Sequence, residues 1–218
     1  MNLFKIIFLC SLISPTISHY GFDSINPISV KNFTCFRENH GYEFYIGRVY
    51  KSIGELDSTV IENIKNARKA GFQFVDGYIF PCLLVPCISI KQQIEETLKW
   101  IKEQGGQIGR LWISVQGAEL YWTDEKPLNQ AIIFEAVKQT EAMGFKVGIY
   151  TNSTHWNQIV GNDWNVVAEK PLWLDNWSGN GSFENFVPFG GWKIPTMQQF
   201  DVERGTDCGV VINRNWYP

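Results

Sequence analysis

The residues with the clearest chemical potential sit in the stretch Leu111-Trp112-Ile113-Ser114-Val115-Gln116-Gly117. It reads as a buried strand running into a glycine turn. Side chains alternate across a strand, so Ser114 and Gln116 point one way while Ile113 and Val115 point the other. In a parallel barrel these two would stand at the C-terminal end of the strand, where such barrels do chemistry. Two carboxyl groups there would form an acid–base pair able to cleave a glycosidic bond. The chain offers a hydroxyl and an amide instead. Acids do occur near other strand ends. Asp23 closes a short first strand over 20–23, Glu119 follows Gln116 in the next loop, and Asp175 follows Pro171-Leu172-Trp173-Leu174. Glu119 reads most simply as a solvated loop glutamate and Asp175 as a turn residue beside Asn176. Asp76 lies within a strand and is expected to serve a structural hydrogen bond.

Other side chains suit a saccharide. Tyr50, Tyr78, Tyr150 and Trp173 fall at or near strand ends, where flat rings can meet the apolar C–H faces of a sugar. Aromatic residues make up 15% of the chain, with 9 Trp, so many of them must also fill the core. Arg48 shares a strand face with Tyr50, and Asp23 is the nearest expected carboxylate for it. His19, His40 and His155 are scattered, and the cysteine spacing matches no metal motif, so neither a metal nor any other cofactor is expected. No glycine-rich phosphate fingerprint follows a strand.

The elements that must position these groups alternate. Strands are expected over 44–50, 72–80, 110–115, 146–150 and 171–174. The helix between the first two opens with a capping box of Thr59 and Glu62, carries Val60, Ile61, Ile64 and Ala67 at helical spacing, and stops at Gly71. A second box, Ser89 and Gln92, opens a helix with Ile90, Ile94, Leu98 and Ile101 on one face. Pro127 suits the first turn of a third, which ends at Gly144. The mixed segment over 32–39 reads as a first helical segment or a loop, and 156–160 as a short helix. Past Gly179 the helical stripes vanish, and 197–200 and 210–212 read as final strands. Alternation of this kind marks parallel βαβ units, and a total of about eight strands suits a closed barrel. The expected fold is α/β, an irregular (β/α) TIM-like barrel whose last strands lack crossover helices.

The bounds agree with one domain outside the cytosol. Lys5 and the apolar run over 6–13 precede Thr16-Ile17-Ser18, the pattern of a secretory signal peptide over 1–18, too short to span a membrane. The domain then covers 19–218. No later stretch is apolar for long enough to cross a bilayer. The net charge of −3 and the lack of a basic patch argue against nucleic acid. Beyond Cys10, Cys35, Cys82, Cys87 and Cys208 allow three pairings. Cys82–Cys87, closing a short loop, and Cys35–Cys208, tying the two ends together, are favoured. Asn32, Asn152, Asn176 and Asn180 each begin an N-x-Ser/Thr sequon.

Several pieces in order now point the same way: Gly21-Phe22-Asp23, Tyr78-Ile79-Phe80-Pro81 after Ala70-Gly71, and Leu111-Trp112-Ile113. They continue through Gly148-Ile149-Tyr150-Thr151, Pro171-Leu172-Trp173, Pro188-Phe189-Gly190-Gly191-Trp192 and Asn215-Trp216-Tyr217-Pro218. On these the chain resembles the secreted lysozyme-like proteins of glycoside hydrolase family 25, the Chalaropsis type, in the form found in nematodes and some protists. The resemblance implies a distorted β/α barrel that cleaves the β-1,4 link between N-acetylmuramic acid and N-acetylglucosamine. It also implies a role in innate defence, with peptidoglycan as partner and the protein a monomer. The family's first-strand Asp is matched by Asp23. Its Asp-x-Glu pair, whose Glu donates the proton, is matched by Ser114 and Gln116, and its late Asp by Asn213. Replacing a general acid by an amide removes on the order of 10²–10⁴-fold in rate. The expectation is therefore a catalytically impaired protein that keeps its glycan groove. The alternatives are an active muramidase using a relocated acid such as Glu119, or a protein-interaction scaffold with no glycan ligand.

Overall fold

The computed structural model describes residues 18–83, 86–203 and 207–218. The leader expected over 1–18 lies, except for Ser18, outside the described residues. The elements are β1 (His19–Ser24), α1 (Val30–His40), β2 (Phe44–Lys51), β3 (Glu55–Leu56), α2 (Thr59–Lys69), β4 (Phe74–Ile79) and α3 (Ile90–Glu103). They continue with β5 (Arg110–Ser114), α4 (Ala118–Tyr121), α5 (Lys126–Ala142), β6 (Lys146–Thr151), α6 (Ser153–Ile159), β7 (Leu172–Asp175), β8 (Met197–Glu203) and β9 (Ile212–Tyr217).

The sheet order is β1-β9-β8-β7-β6-β5-β4-β2-β3, and β1 also pairs with β2. Of these nine strands, two-residue β3 stays outside as a short hairpin on β2, and the other eight close a barrel. Neighbours from β1 through β2, β4, β5, β6 and β7 to β8 run parallel. β9 enters antiparallel between β8 and β1. An antiparallel neighbour needs no crossover helix. No helix separates β7 from β8 among the described residues either. The late departure from βα repetition expected from the sequence is thus present, and it falls at the seam where the barrel closes.

Two apolar layers support the ring. Between strands and helices, Phe22, Phe33, Phe36, Tyr45 and Phe72 pack together as one aromatic cluster. Inside the barrel, Phe44, Ile46, Tyr78, Trp112, Tyr150, Trp173 and Met197 form a separate core. Bulky rings fit in so narrow a space only opposite glycines. A Cβ on Gly21 would lie 2.4 Å from the Phe44 ring, and one on Gly148 would lie 2.3 Å from the Trp112 ring.

The helix starts show how local signals are overridden. The Ser89–Gln92 capping box forms as expected, and α1 adds one between Ser29 and Asn32. The Thr59–Glu62 box does not form. Thr59 is already the first helical residue, and its N–H is taken by the Asp57 carboxylate at 3.3 Å. Asp57 thus takes the backbone donor that the Glu62 carboxylate would have accepted in the box. Both favoured disulfides are present. Cys35–Cys208 spans a sequence separation of 173 and ties α1 to the turn before β9, while Cys82–Cys87 spans 5. Among the sequons, Asn32 and Asn152 spend both ends of their carboxamides on internal hydrogen bonds. Asn176 is half-buried and Asn180 is exposed.

A methyl group placed on Gly148 must push the Trp112 ring aside within a packed barrel. Gly148→Ala is expected to cost about 1–3 kcal/mol in urea unfolding; an unchanged midpoint would contradict this packing.

Candidate active site

The C-terminal ends of the parallel strands open on a cleft of about 500 Å³, with Asp23, Arg48, Tyr78, Gln116, Tyr150, Asp175, Trp177, Gln199 and Asn213 on its walls. Most come from the later residues of a strand or the turn beyond it; Gln199 lies within β8, and Asn213 stands near the start of antiparallel β9. The reversed strand presents its first residues at the mouth where its neighbours present their last.

Asp23 lies at the bottom, 3% exposed. Its Oδ1 accepts from Gln199 Nε2 at 2.7 Å and Asn215 Nδ2 at 2.8 Å, and its Oδ2 accepts from Asn213 Nδ2 at 2.9 Å. Burial raises its pKa from an ordinary 3.8 to about 6, against the pull of these three amides and with help from the charge of Asp175. Gln199 also accepts from the Tyr150 hydroxyl at 2.5 Å, so one glutamine joins the carboxylate to the aromatic wall.

Across the mouth, Ser114 is fully buried and donates to Gln116 Oε1 at 3.2 Å. Gln116 turns its amide nitrogen to Asp175 Oδ2 at 2.7 Å. Asn152 Nδ2 reaches the same oxygen at 3.1 Å, while Asp175 Oδ1 is buried with no hydrogen-bond partner. Burial raises the pKa of Asp175; the Gln116 and Asn152 amides, the charge of His155 and the Trp177 indole oppose it. The site therefore holds two buried carboxyl groups, three strands apart around the ring, each steadied by side-chain amides.

Ser114, Gln116, Asp23, Tyr78 and Tyr150 meet here as their strand positions suggest. Trp173 is fully buried beneath Tyr150, stacked at 4.0 Å, with its indole donating to Asn215 Oδ1. It supports the wall rather than forming it. Tyr50 is buried in the layer between barrel and helices, because the register of β2 shifts between Arg48 and Tyr50. Arg48 pairs with Asp57 at 2.9 Å, not with Asp23, whose oxygens the amides already occupy. Glu119 stands exposed on α4 and is not among the residues lining the cleft. Asp76 accepts from the Trp112 indole at 3.0 Å, near a smaller pocket of about 250 Å³ at the opposite mouth. Gln199, Asn215 and Trp177 join the site without having been singled out in the sequence. The alternation that pairs Ser114 with Gln116 also pairs Asn213 with Asn215, and that was the available signal. Among the described residues, the only metal-like grouping is Cys35, Asp207 and Cys208, and its two sulfurs are bonded to each other.

The raised pKa of Asp23 has a signed consequence. Between pH 3.8 and about 6 the native chain keeps a proton that the unfolded chain has released. The stabilisation is complete below the unfolded value and is lost as pH rises through about 6. A carbon-13 titration of the Asp23 carboxyl should show a midpoint near 6, and Asp23→Asn should flatten the pH dependence of Tm over that window. A midpoint below 4 would contradict the burial argument.

Comparison with known proteins adds lineage to this geometry. Residues 15–200 match the family model described as Lysozyme-like protein 1. Lysozyme-like protein 5 of Caenorhabditis elegans is 38% identical over 213 residues, covering 98% of this chain and 97% of the relative. Probable GH family 25 lysozyme 2 of Dictyostelium discoideum is 34% identical over 198 residues, covering 91% and 90%. The structure of a family GH25 lysozyme from Aspergillus fumigatus superposes with a TM-score of 0.71 at 20% identity, over 93% of this chain and 94% of that one. The chain belongs to the lysozyme-like proteins of glycoside hydrolase family 25.

Proposed function

We propose that this family 25 chain is secreted, binds bacterial peptidoglycan or a related amino-sugar polymer in the cleft at the strand C-termini, and cleaves it poorly. Such a protein serves in handling or sensing bacteria rather than in rapid lysis. The observation that carries this reading is the state of Gln116. At the position matched to the family's proton donor, it is a carboxamide whose N–H is given to Asp175 and whose oxygen is held by Ser114. An amide has no titratable proton, and a hydroxyl in place of the neighbouring carboxylate carries no charge at neutral pH.

The binding half rests on the walls. Tyr78, Tyr150 and half-exposed Trp177 offer rings, while Arg48, Asn213, Gln116 and Asp175 offer polar atoms beside them. This mixture suits a sugar, with apolar C–H faces and hydroxyl edges. The disulfides and the leader pattern over 1–18 support secretion. No described helix is long and apolar enough to cross a membrane. The chain acts as a monomer in this reading, because one barrel contributes every wall of the cleft.

The test uses the chain from His19 onward, with its disulfides formed, and insoluble peptidoglycan at neutral pH. The wild type should sediment with the polymer. The Ser114→Asp, Gln116→Glu double variant should release reducing ends at least about 10²-fold faster than the wild type. Equal rates, or a wild type that fails to sediment, would overturn the reading. Trp177→Ala should weaken sedimentation roughly tenfold while Tm stays unchanged, as befits an exposed ring that stacks on ligand.

A further inference from the structure

The mouth of the barrel opposite the cleft holds a second hollow of about 250 Å³. It is walled by the rings of Phe74, Trp112 and Tyr217 and carries three charged side chains, Asp76, Arg110 and Lys146. Strand alternation explains the mixture. Arg110, Trp112 and Ser114 share the inward face of β5, so the strand that ends at the cleft with a hydroxyl begins at the other mouth with a guanidinium. Lys146 begins β6 and is the register partner of Arg110. Neighbouring strands lie about 4.8 Å apart, so the sheet sets two cations side by side.

Neither cation makes a side-chain hydrogen bond or an ion pair among the described residues. Asp76 is the acid at hand, but its carboxylate is already engaged by the Trp112 indole at 3.0 Å and by the Arg110 backbone N–H. The Arg110 guanidinium instead lies 5.1 Å from the centre of the Trp112 ring, half-buried. Burial lowers its pKa, and the charge of Asp76 opposes that. A cation drawn partly out of water without hydrogen bonds is costly. Elsewhere the chain pairs such groups, Arg48 with Asp57 and Lys170 with Glu141. Beside these cations Phe74 stands 60% exposed, a large ring offered to solvent at the rim.

We infer that this mouth is a second binding site, separate from the glycan cleft, for a carboxylate carried on a single aromatic ring. The carboxylate accepts from the Arg110 guanidinium, whose planar fork matches two carboxylate oxygens, and from the Lys146 ammonium. The ring packs against Phe74 and Tyr217. Size sets one limit, since the hollow falls below the roughly 300–1,000 Å³ of pockets for drug-sized ligands and suits one ring. Charge sets another, since two cations against one acid favour an anion over a neutral or cationic ring. A sugar would need partners for several hydroxyls, and Thr196 brings the only aliphatic hydroxyl to these walls. The two sites stand at opposite ends of the strands, so both can be filled at once, and this inference does not rest on the glycan reading.

The experiment titrates phenylacetate into the chain from His19 onward, with its disulfides formed, and follows the indole N–H signals by NMR. Trp112 reports on this mouth and Trp177 on the cleft. The Trp112 signal should move with a Kd on the order of 1 mM while Trp177 stays still. Phenylacetamide keeps the ring without the charge, and acetate keeps the charge without the ring; each should bind at least about tenfold more weakly. Arg110→Gln should weaken phenylacetate about tenfold, and Lys146→Gln, at an exposed position, by a smaller factor. Both variants should match the wild type in sedimentation with peptidoglycan. If Arg110→Gln does not fold, Lys146→Gln and the comparison of acid with amide in the wild type decide. No Trp112 shift by about 10 mM phenylacetate, equal affinity for the amide, or a shift at Trp177 alone would overturn the site. So would a larger Trp112 response to N-acetylglucosamine, which would mark a sugar subsite, or one that tracks protein concentration alone, which would mark a second copy seated there.

Discussion

The buried carboxylate of Asp23 is the point on which the rest of this structure turns. It draws amide donors from β8 and β9 onto β1, across the seam where the ring closes. A carboxylate so deeply buried is costly unless several donors surround it. Here the donors belong to the strands that make the fold depart from regular βα repetition. Closure of the barrel and construction of the cleft floor are thus one event. The inner aromatic core depends on the same closure, because Trp173 reaches Asn215, whose other end holds Asp23.

Side-chain amides run through both the floor and the rim. Gln116, Asn152, Gln199, Asn213 and Asn215 each donate to one of the two buried acids. Such a rim is rich in directional hydrogen bonds and poor in mobile protons. That suits recognition of hydroxyl and acetamido groups better than rapid proton transfer. Membership of the lysozyme-like family and a hydroxyl and an amide at Ser114 and Gln116 are compatible because the scaffold that shapes the groove is separate from the side chains at its rim.

Much of this architecture was legible in the sequence, for identifiable reasons. Helical stripes ending at Gly71 and Gly144, and the Ser89–Gln92 box, are local signals that packing left alone. The strand alternation that put Ser114 beside Gln116 survives because both belong to one rim. What escaped was non-local. Alternation reads the same along a strand in either direction, so the reversal of β9 left no trace, and neither did the meeting of Asn215 and Gln199 on Asp23. Arg48 was matched with the wrong acid because Asp57 approaches only once α2 has folded onto β2. Tyr50 left the cleft through a one-residue slip in β2 that no periodicity announces.

The placement of the seam also fixes an order of assembly. Among the described strands β1 comes first, yet one of its two neighbours is β9, which comes last. During synthesis the first strand must wait, paired on one side only, until the rest of the ring has been made. Contacts of such long sequence separation form late and slowly. The floor of the cleft is then the last part of the molecule to come into being, and the Cys35–Cys208 bridge acts as the clasp that keeps it from reopening.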